Sequence, residues 1–202
     1  MKEKESKSLD RQTDRQTDRQ TDRQTDRQTE VSLRPLTLED TAMIVKWRNT
    51  PFVKKNLYSQ SEITAETHIN YFHEYVEKGK VVQFIISVNN ENRLMDIGTA
   101  FLKNIDRQSN KAEFGVFIGQ KDYLGKGYGH AATKLTLKYA FTHLKLNRVY
   151  LTVFTDNYSA IKAYEKSGFL CEGCLKQDFL RYDGFADVTV MGITKDIYDK
   201  RT

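Results

Sequence analysis

The stretch from Lys111 to Ala140, KAEFGVFIGQKDYLGKGYGHAATKLTLKYA, carries a strand, a glycine-rich loop and a helix in succession. From 111 to 118 the side chains alternate. Ala112, Phe114, Val116 and Ile118 share one face, and Lys111, Glu113, Gly115 and Phe117 share the other, the period-two pattern of a strand. The loop Leu124-Gly125-Lys126-Gly127-Tyr128-Gly129 follows. After it Tyr128, Ala131, Ala132, Leu135 and Tyr139 recur at i, i+3, i+4, i+7 and i+11, which predicts a helix burying that stripe. A glycine loop leading into a helix gathers backbone N–H groups at the positive end of the helix dipole, so it suits a pyrophosphate. It is not a Walker A loop, because no Gly-Lys-Ser/Thr closes it, and it lacks the Gly-x-Gly-x-x-Gly spacing of a dinucleotide fold. A tight turn needing positive φ accounts for the same glycines without any ligand.

Working outward, Val31–Pro35 reads as a short strand. Thr37 with Asp40 forms a capping arrangement opening a helix through Trp47, which stops before Thr50-Pro51. Thr64 caps a second helix with Ile69, Phe72 and Val76 on one face and Gly79 as its terminator. Strands over Val81–Val88 and Met95–Ile105 flank the turn Asn89-Asn90-Glu91-Asn92, with Gly98 marking a bulge. Val149–Phe154 is a strand and residues 157–167 a helix ended by Gly168. Residues 169–180 and 185–194 close the chain as a hairpin turning at Asp183-Gly184. This alternation predicts an α/β domain over 31–202 with a mixed central β-sheet flanked by helices.

Residues 1–30 read differently. They hold no aromatic residue, balance eight bases against eight acids, and repeat Asp-Arg-Gln-Thr five times from Asp10 to Thr29. Such a segment buries too little apolar surface to offset its ordering entropy, which predicts a disordered tail. The peptide can also be written as an unbroken GACA tract, so gain or loss of one unit would switch the downstream frame, as in bacterial surface-glycan enzymes. Mixed synonymous codons would dismiss that reading and leave an inert extension. The net charge of +5 lies entirely in residues 31–202. It forms no basic stripe, which argues against nucleic acid. No apolar run is long enough to span a membrane, and a cytoplasmic protein with no membrane contact is expected.

Three strings define a likeness: AEFGVFI (112–118), YLGKGYGHAATKL (123–135) and TVFTDNYSAIKAYEKSGF (152–169). In the last, Asn157, Ala160, Ile161 and Tyr164 share a helix face that Asn157 and the Tyr164 hydroxyl interrupt with polarity. Together the strings resemble the GNAT superfamily of acetyl-CoA-dependent N-acetyltransferases, over about Ser32 to Tyr198. The family's loop is Arg/Gln-x-x-Gly-x-Gly/Ala, and Leu124 stands here at its first position. The loop acts mainly through backbone amides, so this departure changes little.

The resemblance implies the GNAT fold and acetyl-CoA as co-substrate, with no metal. It implies that the amides of Gly125, Lys126, Gly127, Tyr128 and Gly129 cradle the CoA pyrophosphate. Val116, Phe117 and Ile118 would pair with the pantetheine arm, Asn157 would hydrogen-bond the cofactor, and Tyr164 would sit by the sulfur. The chemistry needs a neutral amine, a stabilised oxyanion and a proton for the leaving thiolate. A phenol with pKa near ~10 can donate to a thiolate of pKa about 8.5, and an amide near Phe117 could hold the oxyanion. Glu113 is the candidate base, directly or through water; a salt bridge on a solvated strand face is its other reading.

In the family, the first two helices and the closing hairpin line the acceptor site, here Trp47, Arg48, Asn49, Tyr58 and the Glu62–Tyr75 helix. Trp-Arg-Asn resembles the branch acetylating nucleotide-linked amino sugars, and occurs also near ribosomal-protein and polyamine acetyltransferases. Arg48 could bind a phosphate or carboxylate and Trp47 could stack on a sugar or base. A core Trp47 and an acid-paired Arg48 remain equally open. A polyamine site would draw on carboxylates such as Glu62, Glu66 and Glu74. The expected partner is a small-molecule amine, with a homodimer as one assembly. The alternatives are a polyamine, aminoglycoside or protein N-terminal acceptor, or a non-catalytic CoA-binding module. Cys171-Glu-Gly-Cys174 reads as structural, and His68 and His73 as surface histidines.

Overall fold

Among the described residues seven strands, β1 (Val31–Pro35), β2 (Val82–Asn90), β3 (Arg93–Asp106), β4 (Lys111–Ile118), β5 (Arg148–Phe154), β6 (Leu170–Arg181) and β7 (Gly184–Thr194), make one sheet. Their order is β1-β2-β3-β4-β5-β7-β6. Every neighbouring pair is antiparallel except β4–β5, so the expected mixed sheet is present. The helices are α1 (Thr41–Arg48), α2 (Pro51–Lys54), α3 (Ala65–Tyr71), α4 (Tyr128–Thr142), α5 (Tyr158–Lys166) and α6 (Lys195–Asp199). This computed structural model describes residues 31–90 and 93–201; the Asp-Arg-Gln-Thr tail and part of the 89–92 turn lie outside the described residues. No described helix is long and apolar enough to cross a membrane.

Apolar side chains meet on both faces of the sheet. On one face α4 and α5 cover Ile97, Leu102, Phe114, Leu151 and Met191. On the other, Leu36, Ile44, Trp47 and Ile85 pack with Phe72, Val76 and Phe117. The capping arrangement before α1 forms as expected: the Thr37 amide donates to Asp40 Oδ2 at 2.9 Å. Arg34 ties Asp40 to Asp96 on β3, at 2.6 Å to each.

Two helices depart from the expected stripes. In α4 the buried residues are Ala132, Thr133, Thr136, Leu137, Ala140 and Phe141, whereas Ala131 and Leu135 lie only partly covered. Two threonines conceal this face in the sequence. Thr133 donates to the Gly129 carbonyl at 2.7 Å and Thr136 to that of Ala132 at 2.8 Å, so their hydroxyls are satisfied inside the helix. After α3, which Thr64 caps by accepting from the Thr67 amide at 3.2 Å, the helix widens into a π turn over Phe72–Val76. Phe72 and Val76 reach the core while Ile69 stays exposed, and His68 turns inward with only 4% of its surface accessible. The surface reading of His68 is thereby corrected.

The β2–β3 register slips between Ile86 and Ser87. Gly98 sits opposite Ile86 and Asp96 opposite Ser87, which leaves Ile97 as the extra residue, a bulge beside the glycine that marked it. The Ile97 carbonyl accepts from the Gly119 amide at 2.7 Å and from that of Gln120 at 3.3 Å, anchoring the end of β4. At Gly98 an added Cβ would strike the Phe117 carbonyl oxygen, and at Gly119 it would strike the Trp47 ring. Gly98→Ala is therefore expected to lower unfolding free energy by about 1–3 kcal/mol, the usual cost of overpacking. Gly129→Ala, whose Cβ meets open space, should stay within about 0.5 kcal/mol of the parent, as a surface change does. Denaturant midpoints compare the two; equal midpoints would discard the close approach at Gly98.

Candidate active site

The parallel strands β4 and β5 are joined only where Lys111, Ala112 and Glu113 face Arg148, Val149 and Tyr150. Beyond Glu113, β4 keeps its pairing with β3 through Ile118 and parts from β5. A wedge opens between the strands, and the β4 backbone of Val116, Phe117 and Ile118 presents a free edge to it. An extended, amide-bearing ligand can add to such an edge as a strand does.

Tyr164 of α5 lies beside this opening. Its ring stands edge-on to Phe114 at 6.1 Å and to Phe169 at 5.9 Å. Burial pushes its phenol well above the ordinary tyrosine range, and nearby Tyr58 adds to the rise. The group is therefore a proton donor throughout the neutral range. At one end of the wedge Gly125 and Gly127 hold φ of 72° and 85°, and Gly127 is the N-cap of α4. The first amides of a helix have no intrahelical acceptor, and a Cβ added at Gly125 or Gly129 would enter open space. Lys126 lies over the Tyr123 ring at 5.7 Å. Asn157 caps α5, its Oδ1 accepting from the Ala160 amide at 3.3 Å and the Ser159 hydroxyl at 3.1 Å. Its Nδ2 is what remains for a ligand. A free strand edge leading to a glycine-lined helix N-terminus fits an acyl-CoA.

The opposite face of the wedge is polar. Glu113 accepts from Asn104 Nδ2 at 2.8 Å and pairs with Lys103 Nζ at 3.0 Å. The salt-bridge reading of this residue is thus realised, with about half of the carboxylate's four lone-pair sites in use. Tyr58, which follows α2, packs its ring against Phe154 and Phe179, each at 5.1 Å. Its hydroxyl is buried, with the Thr152 side chain beside it. Burial raises the Tyr58 phenol, Thr152 partly offsets this, and the charges of Glu113 and Asp178 raise it further.

Phe179 reaches Tyr58 because β6 is bulged. Between Leu175 and Phe179 three residues of β6 face the single Asp187 of β7. Gln177 takes φ of 51° there. Asp187 holds the bulge, accepting from the Gln177 amide at 2.9 Å and pairing with Lys176 at 2.8 Å. Sequence reasoning missed Asp187; its signal was a lone acid opening the strand run Val188-Thr189-Val190-Met191.

Of Trp47, Arg48 and Asn49, the structure leaves one free to meet a ligand. Trp47 is 5% exposed and packed in the core with Leu36, Ile44 and Ile85, so stacking on a sugar or base is corrected to a core role. The Asn49 amide is spent on Ile63, donating to its carbonyl at 2.8 Å and accepting from its N–H at 3.0 Å. Arg48 instead donates from Nη2 to the Ser59 carbonyl at 3.4 Å, and its Nε has no partner. Burial lowers its pKa, and among the described residues no carboxylate pairs with it. His68 lies within range of its charge; burial, then Arg48, lowers the His68 pKa and favours a neutral ring. His68 Nδ1 is 3.0 Å from the Thr41 hydroxyl, while His68 Nε2 and Gln60 Nε2 are buried and unpartnered. Glu62 and Glu66 are exposed, as is Glu74, which pairs with Lys78 at 2.7 Å.

Residues 30–170 match the family model described as acetyltransferase (GNAT) domain. The chain belongs to the GNAT acetyltransferases. Among its relatives, spermidine N(1)-acetyltransferase of Escherichia coli K12 is 30% identical over 149 residues, 74% of this chain and 77% of that one. Acetyltransferase PseH of Campylobacter jejuni is 29% identical over 134 residues, 66% and 79% of the two chains. Spermidine N-acetyltransferase of Vibrio cholerae, solved with CoA and spermine, superposes with a TM-score of 0.76 at 26% identity, over 83% of this chain and 97% of that one. The Vibrio enzyme has also been solved as a dodecamer (TM-score 0.73, 25% identity, 85% and 98% covered). This GNAT chain is accordingly an N-acetyltransferase that uses acetyl-CoA.

In this acetyltransferase the Asp187 bulge sets the ring that backs Tyr58. Asp187→Ala is expected to raise the acceptor KM about tenfold, the equivalent of one lost hydrogen bond of ~1.4 kcal/mol, and to leave the acetyl-CoA constant unchanged. Asp187→Asn still accepts from Gln177 and should recover most of the loss. Initial rates with each substrate varied read this out; parallel shifts in both constants would make Asp187 merely structural.

Proposed function

We propose that the enzyme transfers the acetyl group of acetyl-CoA to a primary amine on a small acceptor that also carries an anionic group, as a nucleotide-linked amino sugar does. The observation carrying this reading is Arg48, partly buried, without a carboxylate and with Nε unpartnered. A buried guanidinium left in this way is costly unless an anion completes it. Gln60 and His68 supply further unpartnered polar atoms in that part of the chain, and Tyr58 lies within electrostatic reach of Tyr164.

Acetyl-CoA supplies the acyl group as a thioester. Glu113 takes a proton from the acceptor ammonium, directly or through a water, so that the nitrogen lone pair can form the new N–C bond. An amide on the free edge of β4, near Phe117, holds the carbonyl oxygen as charge collects on it. Tyr164 gives its proton to the departing sulfur as the C–S bond breaks. The amides from Gly125 to Gly129 hold the pyrophosphate, Val116 to Ile118 align the pantetheine arm, and Asn157 donates from Nδ2. A homo-oligomer is part of this reading, on the strength of the dodecameric Vibrio structure. So is a cytoplasmic setting, where acetyl-CoA is made.

A polyamine acceptor is the second reading, favoured by the spermidine enzymes among the relatives. Against it stand the solvent-facing Glu62, Glu66 and Glu74 and the cation at Arg48, which would repel a polycation. Thiol release from acetyl-CoA, measured with UDP-linked amino sugars, polyamines, aminoglycosides and N-terminal peptides, separates the two. Preferred turnover of an anionic acceptor, with KM raised by Arg48→Ala, is expected; preference for spermidine or spermine would replace that reading with the second. Tyr164→Phe should lower kcat by roughly 10²–10³ while acetyl-CoA binding, followed by calorimetry, survives. An unchanged kcat would remove Tyr164 from the reaction.

A further inference from the structure

We infer that Gln120 is a positioning residue for acetyl-CoA: its side chain ties the exit of β4 to the β3 bulge and so fixes where the glycine loop begins. This role rests on the pyrophosphate placement at Gly125 to Gly129 proposed above. The β4 ladder with β3 runs as far as Ile118, opposite Gly98. Continued, it would set Gly119 opposite Ile97 and Gln120 opposite Asp96. Instead the amides of Gly119 and Gln120 both donate to the Ile97 carbonyl, at 2.7 and 3.3 Å, and the chain leaves the sheet for a 3-10 turn over Lys121–Tyr123. The Gln120 side chain takes over where the backbone departs. Its Nε2 donates to the Asp96 carbonyl at 2.5 Å, in place of the next rung. A carboxamide can do this because its N–H donor resembles that of a peptide.

Asp96 is a fixed post for this bond. Its carboxylate accepts from the Ser87 hydroxyl on β2 and from Arg34 Nη2 on β1, each at 2.6 Å. Arg34 also holds Asp40, just before α1, through both terminal nitrogens at 2.9 and 2.6 Å. Gln120 is thus joined through one residue to β1, β2 and β3.

On the loop side, the Gln120 carbonyl accepts from the Tyr123 amide at 3.1 Å, and the Lys121 carbonyl from the Leu124 amide at 3.1 Å. The Tyr123 ring lies 5.7 Å from that of Tyr128, the first residue of α4. Between these two anchors Leu124, Gly125, Lys126 and Gly127 are all exposed, with positive φ at both glycines. So exposed a segment has little packing of its own, and its ends decide where its amides point. Without the Gln120 bond the first end is loosened, and the ligand must then order the loop at a cost in affinity. The edge Val116–Ile118 is held differently, by its β3 ladder and the Ile97 carbonyl. The loss therefore falls on the pyrophosphate and spares the pantetheine arm.

The test compares dissociation constants of the full chain, by ligand-observed NMR, for acetyl-CoA and for S-acetylpantetheine, which has the thioester arm and lacks the pyrophosphate. The parent is expected to bind acetyl-CoA far more tightly. Gln120→Ala should weaken acetyl-CoA about tenfold, the worth of one hydrogen bond. It should leave S-acetylpantetheine unchanged, which also shows that the variant is folded. Gln120→Glu keeps the shape but, ionised, has no donor, and should match Gln120→Ala. Equal weakening of both ligands would make Gln120 a general support of the sheet, and parent affinity for acetyl-CoA in either variant would make its bond idle. Each result overturns the positioning role and leaves the pyrophosphate placement standing. A parent that binds both ligands alike would dismiss that placement, and the role of Gln120 with it.

Discussion

The site depends on the end of pairing between β4 and β5 after Glu113 and Tyr150. Two parallel neighbours in the middle of a sheet would ordinarily continue their ladder, because unpaired buried backbone groups are expensive. Here they are kept apart by what lies on each side of them. Tyr164 and Phe169 crowd Phe114 on the α5 face, and β5 is fully engaged by β7 from Arg148 to Phe154. Meanwhile β4 is bound to β3 and anchored through Ile97. The strands are each satisfied on their outer edges and free on their inner ones, an interrupted ladder that an extended ligand can join.

That wedge also divides the labour of the two sheet faces. Along one side of it lie backbone, glycines and a helix N-terminus, with Tyr164 beside them, its phenol held neutral by burial. On the proposed acceptor side stand side chains whose polar atoms are incompletely answered, Arg48 above all. Tolerating such groups requires a core that is settled elsewhere, and the many fully buried aliphatic residues under α4 and α5 provide it. The polar residues that remain unpartnered are therefore more informative about the substrate than those that are paired.

Much of this was legible in the sequence where a local rule governs. The alternation over 111–118, the capping residues Thr37 and Thr64, and the bulge beside Gly98 all follow from short-range geometry. What escaped depends on tertiary context. The buried face of α4 was hidden because Thr133 and Thr136 look polar yet bond to their own helix. His68 was misplaced because a π turn rotates the end of its helix relative to a 3.6-residue wheel. Trp47 and Asn49 share a motif with Arg48, but a close-approaching Gly119 buries the first and Ile63 occupies the second. A sequence motif can mark a neighbourhood without saying which of its members faces the ligand.

Strand β6 shows how an edge can be made useful without becoming a hazard. It is twelve residues long, it ends the sheet, and it exposes Leu170, Leu175 and Leu180. An unbroken edge of that kind would invite another strand to pair along it. Two bulges interrupt it, one at Glu172 and one across Lys176–Asp178, so no partner strand can keep register along its length. Each interruption also re-aims side chains, the first turning two cysteines onto one face, the second throwing Phe179 over Tyr58. A strand approaching this edge would meet a ladder broken twice and the exposed side chains of Leu170, Leu175 and Leu180.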